Sequence, residues 1–230
     1  SKKNILAHYD LGNELYTRFL DPEMMYSSAI YPDESSSLAQ AQLNKLETIC
    51  QRLSLKADDH LLEIGTGWGG LAIYAAQHYG CKVTTTTISD AQHAYAKARI
   101  EQLALSDKIT LLKDDYRDLS GTFDKVVSIE MIEAVGYDFL PSFFKQCNDR
   151  LKPGGKLLIQ SITIADQRFD YYKNNVDFIL AVGGGSVVDG SKFIAAAALF
   201  NDEGESKDPW DIVSKQARVT KALPLACVLT

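Results

Sequence analysis

The sequence is poor in the residues that build metal centres and disulfide frameworks. Its 230 residues include four cysteines, widely spaced and without a Cys-x-x-Cys pair, and four histidines without metal-ligand spacing. This scarcity argues against a zinc site and against a disulfide framework, and it favours reduced thiols in a cytoplasmic protein. We therefore predict no metal site.

Basic charge and long apolar runs are also scarce. Twenty-four Lys and Arg residues against 30 Asp and Glu residues give a net charge of -6, which argues against nucleic acid as a partner. The apolar run at Ile194–Phe200 is too short to cross a bilayer, and Lys2-Lys3 is not followed by a signal-peptide core. The 46% hydrophobic content is enough for a packed core.

Strand and helix patterns alternate after about residue 57, and this alternation predicts an α/β fold with a mostly parallel sheet and helices on both faces. The predicted helices lie at about 70–79, 89–104 and 138–151. The predicted strands are His60–Ile64, Lys82–Ile88, Ile109–Leu112, Phe123–Ile129 and Gly155–Ile164. Residues 1–56 show helical spacing and predict an N-terminal helical cap over the site of a core at 57–175; residues 176–230 form a third segment.

The most informative segment is a glycine loop that follows the first predicted strand, Glu63-Ile64-Gly65-Thr66-Gly67-Trp68-Gly69. Glycines let the backbone turn sharply and approach a ligand, and the helix that follows offers free N–H groups. The loop contains no basic residue for a pyrophosphate. The second strand ends in Thr87-Ile88-Ser89, without the acidic residue that binds the ribose about 20 residues after a dinucleotide loop. Carboxylates such as Glu63 and Asp115 suit the cationic parts of S-adenosylmethionine. We therefore favour that cofactor, with a purely structural turn as the alternative.

Six motifs occur in an order that resembles the cyclopropane-fatty-acyl-phospholipid synthase family over about residues 4–179. They are His8–Asn13, Met25–Ala29, Glu63–Gly70, Thr87-Ile88-Ser89-x-x-Gln92, Asp115–Leu119 and Glu130–Gly136. The resemblance implies a Rossmann-like S-adenosylmethionine-dependent methyltransferase fold. It also implies an enzyme that transfers a methyl group to a cis double bond of an unsaturated phospholipid acyl chain. Such an enzyme would be cytoplasmic and work peripherally at the inner membrane face; the oligomeric state is not implied.

The resemblance also implies residue roles. The cofactor-contacting positions are Tyr26, Ser27, Glu63, Gly65, Gly67, Gly69, Thr87, Gln92, Asp115 and Tyr116. Glu133 matches the acidic residue that holds a bicarbonate ion as base, with a helix-capping role as the alternative. Ser28 and Gln160 stand where many members have Cys and His, and both side chains could still donate hydrogen bonds to an anion. These departures leave ring closure and simple methyl transfer both open.

A second glycine loop, Gly183-Gly184-Gly185-Ser186, breaks the first resemblance. Residues 176–230 are instead similar to the iron-containing alcohol dehydrogenase family, in which such a loop cradles a nicotinamide pyrophosphate. We therefore expect a truncated synthase whose acyl-pocket segment has been replaced and whose activity is impaired. The alternatives are an NAD(P)-dependent dehydrogenase fragment and a non-catalytic chimera. We also expect one or both tail strands, Val176–Val182 and Ala222–Leu229, to pair with the core sheet, because unpaired apolar strands aggregate.

Overall fold

The computed structural model describes residues 13–163, apart from the side chains of Glu14, Leu15 and Tyr137, and the backbone of residues 179–182 and 225–228. The chain divides into two compact units, residues 1–162 and residues 163–230. Motif residues His8 and Tyr9 and the loop Gly183–Ser186 lie outside the described residues. Within the described part, no helix is both long and apolar enough to cross a membrane.

The first unit contains a five-stranded sheet in which every neighbouring pair is parallel. The strand order is β3-β2-β1-β4-β5. The strands are β1 His60–Ile64, β2 Lys82–Thr86, β3 Ile109–Leu112, β4 Phe123–Ile129 and β5 Leu151–Gln160. The chain runs outward from β1 to β3 and then returns to the other side of β1 as β4. Ligands of open α/β sheets bind at such a switch point, outside the carboxyl ends of the strands.

Helices cover both faces of this sheet. They are α1 Asn13–Tyr16, α2 Leu38–Leu53, α3 Gly70–His78, α4 Asp90–Gln102 and α5 Leu140–Arg150, with 3-10 turns at Tyr116–Asp118, Ile132–Ala134 and Tyr137–Phe139. One core cluster joins Leu46 of α2 and Leu71 of α3 to Leu61 of β1. A second cluster joins Phe143 of α5 to Leu62 of β1. The predicted Rossmann-like α/β architecture is confirmed.

Helix α2 is fixed at both ends by its sequence. Ser37 and Gln40 form a capping box, in which the Ser37 hydroxyl accepts from the Gln40 N–H and the Gln40 side chain accepts from the Ser37 N–H. Ser54 ends the helix in the left-handed conformation. The buried face carries Leu46 and Ile49, but it also buries the polar side chains of Gln42 and Lys45. Both polar groups are used at the site described below.

Three strand boundaries differ from those that the sequence predicts, namely the end of β2, the start of β5 and the end of β5, which lies at Gln160 instead of Ile164. Strand β2 ends at Thr86, two residues before the predicted end. Strand β5 begins at Leu151, which pairs with Phe123, and the next pair is Lys125 with Lys156. Residues 152–155 therefore form an irregularity inside the strand where the sequence predicts a turn before it. A side chain at Gly155 would meet the Asp124 carbonyl at 2.9 Å, so only glycine permits this close approach.

The prediction that the tail strands would join the core sheet is wrong. The second unit contains strands β6 Ile179–Val182 and β7 Leu225–Val228, which pair with each other in parallel and form a separate two-stranded sheet. A parallel pair needs a connection of a dozen residues or more, and residues 183–224 provide that length. Each of these strands therefore pairs along one side within the tail.

Candidate functional site

A cleft opens at the carboxyl ends of β1, β2 and β4, at the switch point of the sheet. Loops that follow these strands form its floor, and residues 24–27 form its roof. Its lining includes four carboxylates, at Glu63, Asp114, Asp115 and Glu130, whereas no lysine, arginine or histidine is among the described residues that line it. The three carboxylates other than the buried Glu63 are sufficient to make the lining acidic, so Coulomb's law favours a ligand with net positive charge over a polyanion.

The glycine loop closes the cleft between β1 and α3. The N–H groups of Gly65 and Thr66 both donate to the carbonyl of Thr86, at 3.1 and 3.0 Å, which ties the loop to the end of β2. Gly65 has φ +103°, a conformation that side chains disfavour. The loop thus exposes backbone rather than side chains to a ligand in front of α3.

Glu63 lies beneath this loop and is only 3% exposed. Its Oε2 accepts a 2.6 Å hydrogen bond from Thr85, whose hydroxyl is also 2.6 Å from that of Thr66. Burial raises the pKa of Glu63 to about 8, although the Thr85 hydrogen bond opposes the shift. Glu63 is therefore built into the wall of the cleft and is not a solvated surface carboxylate.

Residues 21–28 form the strap over the cleft. The carboxylate of Asp21 accepts from the N–H groups of Glu23 and Met25, at 3.0 and 2.8 Å. The side chain of Glu23 forms a 2.8 Å ion pair with Arg99 of α4. A Cβ atom at Gly70 would lie 2.5 Å from the Met25 sulfur and 2.7 Å from the Glu23 carbonyl. The strap thus lies directly on the N-terminus of α3, and only glycine leaves room for it.

Helix α2 holds the strap from the opposite side. Gln42 Nε2 donates to the Ser27 carbonyl at 2.8 Å and to the Met25 carbonyl at 3.3 Å. Lys45 Nζ donates to Ser27 Oγ at 2.5 Å, and this lysine is fully buried. Burial lowers the pKa of Lys45 to about 8, while the nearby carboxylates of Glu130 and Asp21 act to raise it.

The predicted catalytic residues meet at the outer edge of the cleft. Glu130 Oε1 accepts from the Ser28 N–H at 2.9 Å and from Gln160 Nε2 at 2.8 Å, and Gln160 also donates to the Ser28 carbonyl at 3.1 Å. Glu133 accepts from the Ile162 N–H at 2.5 Å. Ser28 and Glu133 line an open groove beside the cleft, together with apolar side chains that include Phe19, Leu20, Leu38 and Ile162.

The structure brings nearly all of the predicted cofactor residues around one cleft. Those that line it are Tyr26, Ser27, Glu63, Gly65, Gly67, Thr87, Gln92, Asp115 and Tyr116. Gly69 does not line the cleft; it precedes α3 with φ +94°, and a Cβ atom there would lie 3.3 Å from that of Ala96. Thr87 donates to Gln92 at 2.8 Å, and Asp115 accepts two hydrogen bonds from the Arg117 guanidinium.

Trp68 both packs in a buried aromatic cluster and lines the cleft. It is 2% exposed, its ring centroid lies 4.6 Å from that of Tyr16 with the two rings tilted by 49°, and its Nε1 donates to Asn13 Oδ1 at 2.9 Å. It also lines the cleft, and its ring meets that of Tyr26 edge-on. The side chain therefore joins α1 to the glycine loop.

Sequence reasoning assigned no role to three residues of the site, Gln42, Lys45 and Glu130. Gln42 and Lys45 lie three residues apart on the apolar face of α2. Buried polar side chains need hydrogen-bond partners, so this spacing indicates that the two residues bond to another segment of the chain. Glu130 is the first residue of the motif Glu130–Gly136, but its left-handed backbone conformation (φ +47°) is known only from the structure.

Comparison with known proteins identifies relatives of this chain. The family model for mycolic acid cyclopropane synthetase matches residues 1–194, and that for iron-containing alcohol dehydrogenase matches residues 161–230. The chain is 44% identical over 155 residues to the cyclopropane-fatty-acyl-phospholipid synthase of Escherichia coli (strain K12), which covers 67% of the chain and 39% of that protein. It is 38% identical over 175 residues to tuberculostearic acid methyltransferase UfaA1 of Mycobacterium tuberculosis, covering 73% and 41%.

A solved structure supports the same assignment. The cyclopropane synthase MmaA2 from Mycobacterium tuberculosis superposes with a TM-score of 0.72 at 26% identity, covering 94% of this chain and 72% of that one. The chain spans about two fifths of the length of the two curated relatives named above. From the family match over residues 1–194 and the shared fold, we conclude that the chain belongs to the mycolic acid cyclopropane synthetase family.

Proposed function

We propose that this chain binds S-adenosylmethionine and transfers its methyl group to the cis double bond of an unsaturated phospholipid acyl chain. The observation that carries the proposal is the cleft at the switch point, lined by four carboxylates and by no basic side chain among the described residues. S-adenosylmethionine is a net cation at neutral pH, whereas a dinucleotide brings two phosphate charges. Family membership supports the same assignment.

Each wall of the cleft has a part in holding the cofactor. Gly65 and Gly67 allow its close approach from below, and Tyr26 and Ser27 cover it from the strap. Glu63, Thr87, Gln92, Asp115 and Tyr116 supply the polar groups of the floor. When bound, the cofactor supplies an electrophilic methyl group on a sulfonium. The chain orients that group towards the outer edge and excludes water with Trp68 and Tyr26.

The outer edge is where a base must act, and we propose that Glu133, Gln160 and Ser28 hold bicarbonate there. These groups match the hydrogen-bonding pattern of bicarbonate. Glu133 can accept from the O–H of the anion, while the Ile162 N–H and the Gln160 amide can donate to its oxygens. In the structure these two donors bond to Glu133 and Glu130. Binding of the anion exchanges the bond between the Ile162 N–H and Glu133 for a bond to an anion oxygen, while the Gln160 amide keeps its bond to Glu130 and shares a hydrogen with the anion. The bicarbonate held there accepts the proton that the acyl chain, positively charged after methyl transfer, must lose to give a neutral product.

The acyl chain approaches from the open groove. Phe19, Leu20, Leu38 and Ile162 give the groove an apolar lining next to Glu133 and Ser28, and burial of acyl CH₂ groups there is favourable. We propose that the substrate is a phospholipid at a membrane surface, the inner face in a cytoplasmic protein. The product is either a cyclopropane or a methylated chain.

A second candidate function concerns the tail. The iron-containing alcohol dehydrogenase match to residues 161–230 supports a chimeric chain whose last segment derives from an NAD(P)-dependent dehydrogenase. The parallel pairing of β6 with β7 agrees with a strand–crossover–strand unit of a nucleotide-binding sheet. One such unit holds only part of a dinucleotide site, so we propose that S-adenosylmethionine is the cofactor of this chain.

Calorimetry distinguishes a methyltransferase, a dehydrogenase fragment and a non-catalytic chimera. The chain is titrated with S-adenosylhomocysteine and, separately, with NAD and NADP. Binding of S-adenosylhomocysteine alone supports the proposed function; binding of a nicotinamide dinucleotide alone supports the dehydrogenase fragment; and binding of neither indicates a non-catalytic chimera. Mass spectrometry of the purified protein first verifies that both segments are on one chain.

Catalysis is tested with vesicles of dioleoyl phosphatidylethanolamine and phosphatidylglycerol and radiolabelled S-adenosylmethionine. Label in the extracted lipid supports the proposal, and its absence despite cofactor binding contradicts it. Proton NMR of the product distinguishes ring closure, which gives high-field cyclopropane signals, from simple methylation. Omission and readdition of bicarbonate tests whether the outer edge holds that anion.

A further inference from the structure

Glu130 follows β4 directly and has a backbone conformation that glutamate disfavours. Its φ of +47° lies in the left-handed region, and its N–H donates to the carbonyl of Gln160 at 2.8 Å. Residues other than glycine adopt this conformation at an energetic cost, and such sites cluster where function requires a fixed geometry. The conformation places the Glu130 side chain between the cleft and the open groove, since Glu130 lines both.

One carboxylate oxygen of Glu130 connects two separate parts of the site. Oε1 accepts from the Ser28 N–H of the strap at 2.9 Å and from Gln160 Nε2 of β5 at 2.8 Å. The Gln160 amide also donates to the Ser28 carbonyl at 3.1 Å. Ser28 and Gln160, which are 132 residues apart, thus form a closed ring of hydrogen bonds around Glu130.

The charge of Glu130 is balanced from beneath the strap. The buried ammonium of Lys45 interacts electrostatically with the carboxylates of Glu130 and Asp21. The same ammonium donates to Ser27 Oγ, so Lys45 and Glu130 hold adjacent residues of the strap from opposite sides.

We propose that Glu130 is a positioning residue for methyl transfer: its carboxylate locks the strap at Ser28 and the side chain of Gln160 into one arrangement at the outer edge of the cleft. The inference rests on the proposed function, because it names Glu130 as the residue that aligns the predicted anion-holding groups. The strained backbone at Glu130 maintains this alignment at the expense of stability.

The test replaces Glu130 by glycine and uses Ala104 as a matched control. Glycine accepts the left-handed backbone and removes only the carboxylate and the strain. Ala104 has nearly the same conformation, φ +55°, and is exposed in the loop after α4. Both E130G and A104G are therefore expected to melt at or above the temperature of the unaltered chain, whereas a structural carboxylate predicts a lower melting temperature for E130G alone.

Two readouts distinguish positioning from stability. Loss of hydrogen bonds to a charged group predicts that E130G lowers kcat by about 30-fold with a smaller change in KM, while A104G leaves both unchanged. Hydrogen exchange at the Ser28 amide is expected to accelerate by at least about tenfold in E130G and to be unchanged in A104G. E130Q retains an oxygen that accepts from both donors, so it is expected to recover most of the exchange protection and part of kcat.

Unchanged exchange at Ser28 in E130G, or kcat within about threefold of the unaltered chain, overturns the inference. A melting temperature that falls in parallel with kcat, without recovery in E130Q, also overturns it. If the unaltered chain binds S-adenosylhomocysteine but transfers no methyl group, the proposed function fails. The exchange experiment and the affinity of E130G for S-adenosylhomocysteine then decide whether Glu130 fixes the strap.

Discussion

The inner floor and the outer edge of the cleft are built in opposite ways. On the floor, Glu63 is buried and its pKa is raised to about 8. It accepts a hydrogen bond from Thr85, whose hydroxyl is also bonded to that of Thr66. At the outer edge, Ser28 and Glu133 are exposed, and their bonds cross between segments distant in sequence. Glu63 is thus embedded among buried residues of the sheet, whereas the edge depends on a few exposed polar contacts.

Under the proposed function, this difference separates the residues that bind the cofactor from those that take part in the chemistry. A buried floor residue such as Glu63 tolerates little change, since a substitution there alters the packing around it. An edge held by hydrogen bonds can be altered without unfolding the protein. Substitutions at the edge should therefore change catalysis more than stability, and substitutions on the floor should change both.

The largest expected effect is at the edge, with Glu133→Gln. Glutamine keeps the size of the side chain but removes its charge and its basicity, so methyl transfer should fall by about 100-fold or more. The affinity for S-adenosylhomocysteine, measured by calorimetry, should stay within about twofold because Glu133 is outside the cofactor cleft. The exposed Glu101→Gln on α4 is the control. If Glu133→Gln also lost affinity for S-adenosylhomocysteine, the floor and the edge of the cleft would not have separate roles.

The next effect is at the contact of strap and helix, with Gly70→Ala. The added methyl group would lie 2.7 Å from the Glu23 carbonyl and would push the strap away from α3. We expect the affinity for S-adenosylhomocysteine to fall by about 30-fold and the melting temperature to fall by several degrees. In Gly121→Ala, where the nearest side-chain atom is 3.8 Å away, the affinity should not change. Unchanged affinity in Gly70→Ala would show that the strap does not shape the cofactor site.

Lys45→Met should separate binding from stability. Methionine fills a buried site of similar volume, and replacement of a buried charge by an apolar group is often neutral for stability. Ser27 loses its partner, however, so affinity for S-adenosylhomocysteine should fall by about tenfold. The exposed Lys97→Met on α4 serves as control. If Lys45→Met lowered stability and affinity to the same extent, Lys45 would support the packing of the core and not the position of the strap.

The pH dependence of Lys45→Met provides a second check. The pKa of Lys45 is lowered from 10.5 to about 8 in the fold, so the unfolded chain binds more protons between these values. This group therefore makes the free energy of unfolding rise as the pH increases from about 8 to 10.5. Urea denaturation of Lys45→Met should show a flatter profile in this window than the unaltered chain.

The smallest effect concerns the pH dependence set by Glu63. Its pKa is raised from 4.5 to about 8, so the folded chain binds more protons between these values. The stability that this group contributes is complete below about pH 4.5 and is lost as the pH rises through about 8. Glu63→Gln imitates the protonated form and should flatten that decline in urea denaturation. Similar slopes for the variant and the unaltered chain would show that Glu63 does not stay protonated in the fold.

The sequence predicted most of the fold because its signals are local. Two strands beside the site, His60–Ile64 and Phe123–Ile129, have the predicted bounds, since short apolar runs between turn residues report burial directly. The glycine loop was visible because its backbone demands glycine. The start of β5 was mispredicted because Pro153 and Gly154 signal a turn, whereas pairing with β4 absorbs them as an irregularity.

The site was predicted as a set of residues but not as an arrangement. Motifs gave Ser28, Glu133 and Gln160 as candidates, and the structure brings them to one edge. That they meet through Glu130, and that Lys45 supports the strap, depends on contacts between segments far apart in sequence. Local patterns carry no information about such pairs unless burial of a polar side chain signals that a partner exists.

By itself, the sequence determined the order of strands and helices, the glycine turn before α3 and the acidic character of the cleft, because these follow from local periodicity and composition. Only the tertiary structure decided how the strap crosses Gly70, which carboxylate joins Ser28 to Gln160, and that β6 pairs with β7 instead of the main sheet. Those features arise from steric exclusion and from hydrogen bonds between distant segments, whose partners are fixed only when the whole chain is packed.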